Sequence, residues 1–204
     1  MSGDARYPTA CVLLLYIRKV GFGHVVELRD FIFNNALLFV FAEWWRPETY
    51  TFHLPWGEVT ITLQDVAYHL GLCTDGNPIS GCTKDFQQIH PKDKWQVFGL
   101  RMTWLKNRVT HIPPGADADT LCQYARCYLL MLIGVFFFTD KSANLLPLRW
   151  LSLLEDFDAC RRLSWGSALL SHTYHSLALP ELVMSWIYHS EVNQHCQYWD
   201  CFGY

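Results

Sequence analysis

A chain of 204 residues lies near the upper end of what one hydrophobic core covers and well above the size that needs covalent stapling, so a single domain over 1–204 is expected. With 51% hydrophobic and 17% charged residues, nine Trp, thirteen Phe and ten Tyr, the composition excludes disorder and implies a large aromatic core. A net charge of -3 supplies no global field for nucleic acid or an anionic membrane, and eight scattered cysteines are too few for a disulfide scaffold; they read as mostly buried thiols of a reducing compartment.

In chain order, the apolar run Cys11 to Ile17 could pass for a signal-peptide core, but Asp4 and Arg6 precede it and no small-residue cleavage site follows, which argues against secretion. From Leu28 to Trp45, the residues Phe31, Asn35, Leu38, Ala42 and Trp45 recur at helical spacing until Pro47 stops the pattern. Alternation then takes over. Tyr50, Phe52 and Leu54, and after them Val59, Ile61 and Leu63, flank Pro55-Trp56-Gly57-Glu58, a β-hairpin packed through one face. Thr62 and Asp65 have capping-box spacing at the start of a helix over Leu63 to Leu70, and Gly71 offers a left-handed stop.

After a turn-rich loop at 74–78, Trp95, Phe98, Met102, Leu105 and Val109 mark a second amphipathic helix, ended by Pro113-Pro114-Gly115. Asp117 or Asp119 can cap a long helix, the hub of the core, whose face carries Leu121, Tyr124, Tyr128 and Leu132. The uncharged run Cys127 to Thr139 is too short to span a bilayer, so no membrane association is expected. Trp150, Leu154 and Phe157 follow, then a helix opened by Ser164 with Leu170, Tyr174 and Leu177, where Gly166, Ser167 and Ala168 allow close backbone approach. The fold class is therefore mainly α: a single helical domain with a small β-hairpin at about residues 49–63 packed on it.

Motifs of catalysis are missing. There is no phosphate loop or dinucleotide fingerprint, and Trp165-Gly166-Ser167-Ala168 lacks the second glycine of a nucleophile elbow. His172 with His175 and Cys122 with Cys127 complete no four-ligand set, and Cys73, Cys82, His195, Cys196 and Cys201 show no CxxC spacing. Asp117, Asp119, Glu155, Asp156 and Asp158 suit helix ends better than acid–base pairs. The reading is of no enzyme, no cofactor and no metal. Residues 84–108 lean basic: Lys84, Lys92, Lys94, Arg101, Lys106 and Arg108 oppose only Asp85 and Asp93, with Trp95, Phe98 and Trp104 interleaved. Such a mix can hold a phosphate backbone and stack bases, making Lys94, Arg101 and Arg108 candidate nucleic-acid contacts. Their heptad spacing equally suits long cations lying over a core edge. In Trp44-Trp45-Arg46-Pro47-Glu48-Thr49, Arg46 can tie the helix end to Glu48 or to carbonyls, or serve a partner.

Longer patterns carry a resemblance. Trp45-Arg46-Pro47-Glu48-Thr49, Thr51-Phe52-His53-Leu54-Pro55, Gly57-Glu58, Asp65-Val66, Gly71-Leu72, Tyr124-Ala125-Arg126, Asp140-Lys141-Ser142 and Ser164-Trp165-Gly166-Ser167-Ala168 stand in order over residues 10–178. In them the chain resembles the plant mobile domain family, sometimes labelled aminotransferase-like, which includes maintenance-of-meristems proteins and phosphatase 7 long form homologues. The resemblance implies a nuclear helical domain linked to transposon silencing, genome integrity and meristem maintenance. It also implies nuclear protein partners, phosphatase-type ones among them, and no active site. The aminotransferase label finds no Schiff-base lysine beside a phosphate cradle. Trp45, Arg46, Glu48, His53, Trp56, Asp65, Arg126, Asp140 and Trp165 stand out as an interaction or structural motif. Residues 85–95 are shorter than in family members, a stretch is missing between Leu177 and Ser185, and 179–204 form an atypical tail.

Overall fold

The structure is a computed structural model and describes residues 7–27, 34–79, 99–110, 112–113, 115–138 and 145–179. Helix α1 (Tyr7–Val20) places Leu13, Ile17 and Val20 one turn apart, and all three are at most 1% exposed. Gly21, at φ 96°, reverses the chain where a side chain would be strained. This tucks Phe22 between Phe137 and Trp165, with ring centroids 5.5 and 5.2 Å away, ahead of the short α2 (Gly23–Glu27).

Next come α3 (Asn35–Trp44), the strands β1 (Trp45–Arg46), β2 (Thr51–Leu54) and β3 (Gly57–Val59), and α4 (Leu63–Leu70). The strands form an antiparallel sheet in the order β1-β2-β3, with Trp45 opposite Phe52 and Leu54 opposite Gly57. That register corrects three expectations. The hairpin loop is Pro55-Trp56 alone, because Gly57 already pairs, and the second strand stops at Val59. Tyr50 does not open β2 but lies in the preceding turn at φ 55°, since β1 must fold back through 47–50 to reach its partner. Helix α4 matches its expected bounds. Thr62 Oγ1 accepts from the Asp65 amide, the Thr62 amide donates to the Asp65 carboxylate, and Gly71 closes the helix at φ 63°.

The second half holds β4 (Gly99–Arg101), α5 (Met102–Thr110), α6 (Ala118–Leu132), a π-helical continuation over Ile133–Phe137, and β5 (Leu145–Pro147). A 3-10 helix (Leu148–Leu154), α7 (Phe157–Arg161) and α8 (Trp165–Leu177) complete it. The helix expected from Trp95 begins only at Met102, because Gly99, Leu100 and Arg101 pair antiparallel with Pro147, Leu146 and Leu145. Trp95 and Phe98 lie outside the described residues, whereas Leu105 and Val109 are buried as the stripe requires.

Helix α6 is the hub: α1, α5 and the 3-10 helix pack on it, and Leu121, Tyr124, Tyr128 and Leu132 are all at most 8% exposed. Arg126 fastens its flank by donating from Nε to the Leu154 carbonyl (3.0 Å) and from Nη2 to that of Glu155 (2.9 Å), capping the 3-10 helix. Gly166 meets the expectation of close approach. Its amide donates to the Cys73 carbonyl at 2.8 Å, and a Cβ there would stand 2.7 Å from Thr74 Cγ2. Of the described cysteines, Cys160 is buried and its thiol is pushed up to about 12 by desolvation, while Cys73, Cys122 and Cys127 are partly exposed. The molecule is mainly α with a small antiparallel sheet at the hairpin, as the pattern implied, and the two-stranded pairing of β4 with β5 adds a second sheet that was not expected.

Candidate interaction surface

Asn34 starts α3 by accepting the Leu37 amide at 3.1 Å. The helix that follows, Asn-Ala-Leu-Leu-Phe-Val-Phe-Ala-Glu-Trp, has no charge before Glu43 and no polar face. Leu37, Leu38, Phe39 and Val40 are 52%, 40%, 40% and 42% exposed. Four consecutive residues circle most of a helix, so this turn is apolar all round and open all round. The inward stripe expected here is corrected at Leu38, which is exposed, while Trp45 is buried as expected and Phe31 lies outside the described residues. The cause is attachment by the final turn: Phe41 meets the Phe52 ring at 5.6 Å and Trp44 meets Trp56 at 6.4 Å.

Trp45, 3% exposed, is the root of this wing. Its ring lies 4.8 Å from Phe52 and 5.2 Å from Tyr174 of α8, and Tyr50 stacks on the other part of Tyr174 at 5.6 Å. The Tyr174 hydroxyl donates to the Ile61 carbonyl and lies 3.0 Å from Thr60 Oγ1, which donates to the Tyr50 carbonyl at 2.6 Å. One tyrosine thus pins sheet to body. The Trp45 indole N–H is buried with no acceptor among the described residues. Sequence reasoning placed Tyr174 on a helix stripe and missed this role; no local pattern announces that residues 50 and 60–61 will arrive at it.

The other singled-out residues divide between fold and surface. Arg46 donates to the carbonyls of Glu43 and Trp45, each at 3.1 Å, and so satisfies the end of α3 rather than pairing with Glu48, which is exposed. Trp56, at the hairpin tip, is 78% exposed. His53 stands opposite Glu58, with Nε2 3.6 Å from its carboxylate and 3.3 Å from Thr49 Oγ1, on the outer face of the sheet. Asp65 belongs to the cap of α4; hydrogen bonds from the Thr62 hydroxyl and amide hold its carboxyl below the usual range. Trp165, 1% exposed, donates to the Cys160 carbonyl at 3.0 Å and is a core residue, as Arg126 is a capping one. Asp140 and Lys94 lie outside the described residues.

Elsewhere, Arg101, Trp104 and Arg108 are exposed at three- and four-residue steps leading into and along α5. Arg108 also covers the Tyr124 ring at 4.8 Å, which partly bears out the alternative that it lies over a core edge. A half-open cleft of about 350 Å³ lies between the ends of α1, α4 and α7, lined by Val20, Leu72, Cys73, Trp165 and, as its ionised side chain, Arg161. Among the described residues no three His, Cys, Asp or Glu side chains converge on a metal-sized site, and no helix is long and apolar enough to cross a membrane.

Comparison with known proteins brings these features together. The family description "plant mobile domain" matches residues 21–197, running past 178 into the tail. Three Arabidopsis thaliana proteins are similar. Protein MAIN-LIKE 1 is 36% identical over 174 residues, 79% of this chain and 34% of its own length. The serine/threonine-protein phosphatase 7 long form homolog is 37% identical over 180 residues, 83% of this chain and 13% of its own. Protein MAINTENANCE OF MERISTEMS is 33% identical over 171 residues, 79% of this chain and 36% of its own. The chain therefore spans little more than a third of these relatives at most. No solved structure matches it.

Proposed function

Because this chain belongs to the plant mobile domain family, we propose that it is a non-catalytic protein-interaction domain of the nucleus, acting in meristem maintenance, transposon silencing and genome integrity. The observation that carries the reading is the open apolar turn Leu37–Val40 of α3, with Trp56 beside its root. An uncovered turn of this kind is costly to leave in water and is characteristic of protein contacts. Its partners are nuclear proteins, and the phosphatase in one relative's name supports counting phosphatase-type proteins in that proposal.

Capture from plant nuclei tests this. The wild-type chain is expected to recover a reproducible set of proteins, and Leu38→Asp, which puts a charge in the open turn, is expected to lose them while melting normally. Recovery of no specific protein, or the same set with both chains, contradicts the proposal.

The face formed by Arg101, Trp104 and Arg108 favours a second reading, nucleic-acid binding by phosphate contact and base stacking. Counterion release makes low salt the most permissive condition. If neither single- nor double-stranded DNA binds there, this reading fails.

A further inference from the structure

We infer that the face carried by Arg101, Trp104 and Arg108 selects single-stranded nucleic acid over duplex, with Trp104 as the platform on which an unpaired base stacks. The inference rests on the second reading above, that this face binds nucleic acid, and names the form of nucleic acid it takes.

Charge selects the class of ligand. From Lys94 to Ala116 the sequence holds four Lys or Arg and no carboxylate, in a chain whose net charge is -3. The described part of this stretch turns its arginines outward. Arg101 at the end of β4 and Arg108 in α5 are both exposed, and no carboxylate pairs with either among the described residues. A patch of one sign in a chain of the other is a local field for a polyanion.

Geometry selects the single strand. Trp104 lies three residues after Arg101 and four before Arg108, so the indole stands between the two guanidinium groups, on a face about 10 Å long at the rise of a helix. The indole is 51% exposed and meets no other ring among the described residues. Leu105 and Val109, at most 1% exposed, hold the inner face of α5 on α6, and Arg108 is held over the Tyr124 ring at 4.8 Å. The platform is therefore fixed before a ligand arrives. Its order of cation, aromatic ring and cation matches a single strand, which offers open base faces between successive phosphates. A duplex hides those faces in its stack, and the indole would reach one only by wedging a step apart and paying for its unstacking. A polyanion without bases satisfies the arginines and leaves the indole with nothing to stack on.

Fluorescence anisotropy on the full chain at low ionic strength is the test. The probes are an unstructured thymidine strand of about 16 nucleotides and a hairpin duplex with the same number of phosphates. The wild type is expected to bind the strand at least about tenfold more tightly than the duplex. Trp104→Leu, which keeps an apolar side chain but loses the ring, is expected to weaken strand binding about tenfold while melting normally, and Trp104→Tyr to retain most of it. Arg101→Gln and Arg108→Gln are each expected to lower the salt slope of strand binding by about 0.7. Equal or tighter binding of the duplex, or a Trp104→Leu variant that binds the strand as the wild type does, overturns the inference and leaves the nucleic-acid reading standing. Displacement by polyglutamate as effective, charge for charge, as by unlabelled strand makes the ligand a plain polyanion and overturns both. Binding of neither probe defeats the nucleic-acid reading and the inference with it.

Discussion

The last turns of α6 and the first turns of α3 are both apolar runs without a polar face, yet Leu129, Leu130, Met131 and Leu132 are at most 2% exposed while Leu37 to Val40 are at least 40% exposed. Composition does not separate them; neighbours do. α6 is enclosed by α1, α5 and the 3-10 helix, whereas α3 is held by its final turn to β2. Apolar sequence states that a segment must be covered, and only the surrounding topology states whether the same chain covers it. The molecule therefore divides into a body whose side chains hold the fold and a wing whose side chains are available to something else.

Substitutions that respect this division are expected to differ in size. Trp165→Ala removes a buried indole, its bond to Cys160 and its contact with Phe22, and should cost about 3–5 kcal/mol in chemical denaturation. A loss below about 1 kcal/mol would mean that the body is not packed around this ring. Tyr174→Phe keeps the ring stack but removes the hydroxyl that bonds Ile61 and faces Thr60, and should cost about 1–2 kcal/mol. No change would show that stacking alone docks the wing. Arg46→Ala loses two contacts to carbonyls, one exposed and one partly buried, and should cost about 0.5–1 kcal/mol, read as a small drop in melting temperature. An unchanged melting temperature with lost partner capture would move Arg46 from the fold to the contact surface.

The division also explains what was legible beforehand. α4 could be bounded from sequence because Thr62, Asp65 and Gly71 carry its start and stop within one element. The burial of α6 could be read because a long run with aromatic residues at helical spacing has few alternatives to the centre of a domain. β4 could not: Gly99, Leu100 and Arg101 fit a helical stripe until Leu145, Leu146 and Pro147 return to pair with them. β1 is only two residues and exists through Phe52 and Thr51. In the candidate surface, the bonding of Arg46 to carbonyls followed from the needs of a helix end. The openness of Leu38 and the pinning role of Tyr174 depend on what does and does not arrive from elsewhere in the chain.

The central claim is that the wing is held less firmly than the body and leaves its apolar turn free for a partner. Native-state hydrogen exchange on the isolated chain under monomeric conditions tests it most directly. The amides of Leu38 to Trp44 are expected to exchange at least about 100-fold faster than those of Tyr124 to Leu132. Addition of a binding partner should slow the first set alone. Equal protection of the two helices in the free monomer would contradict the account.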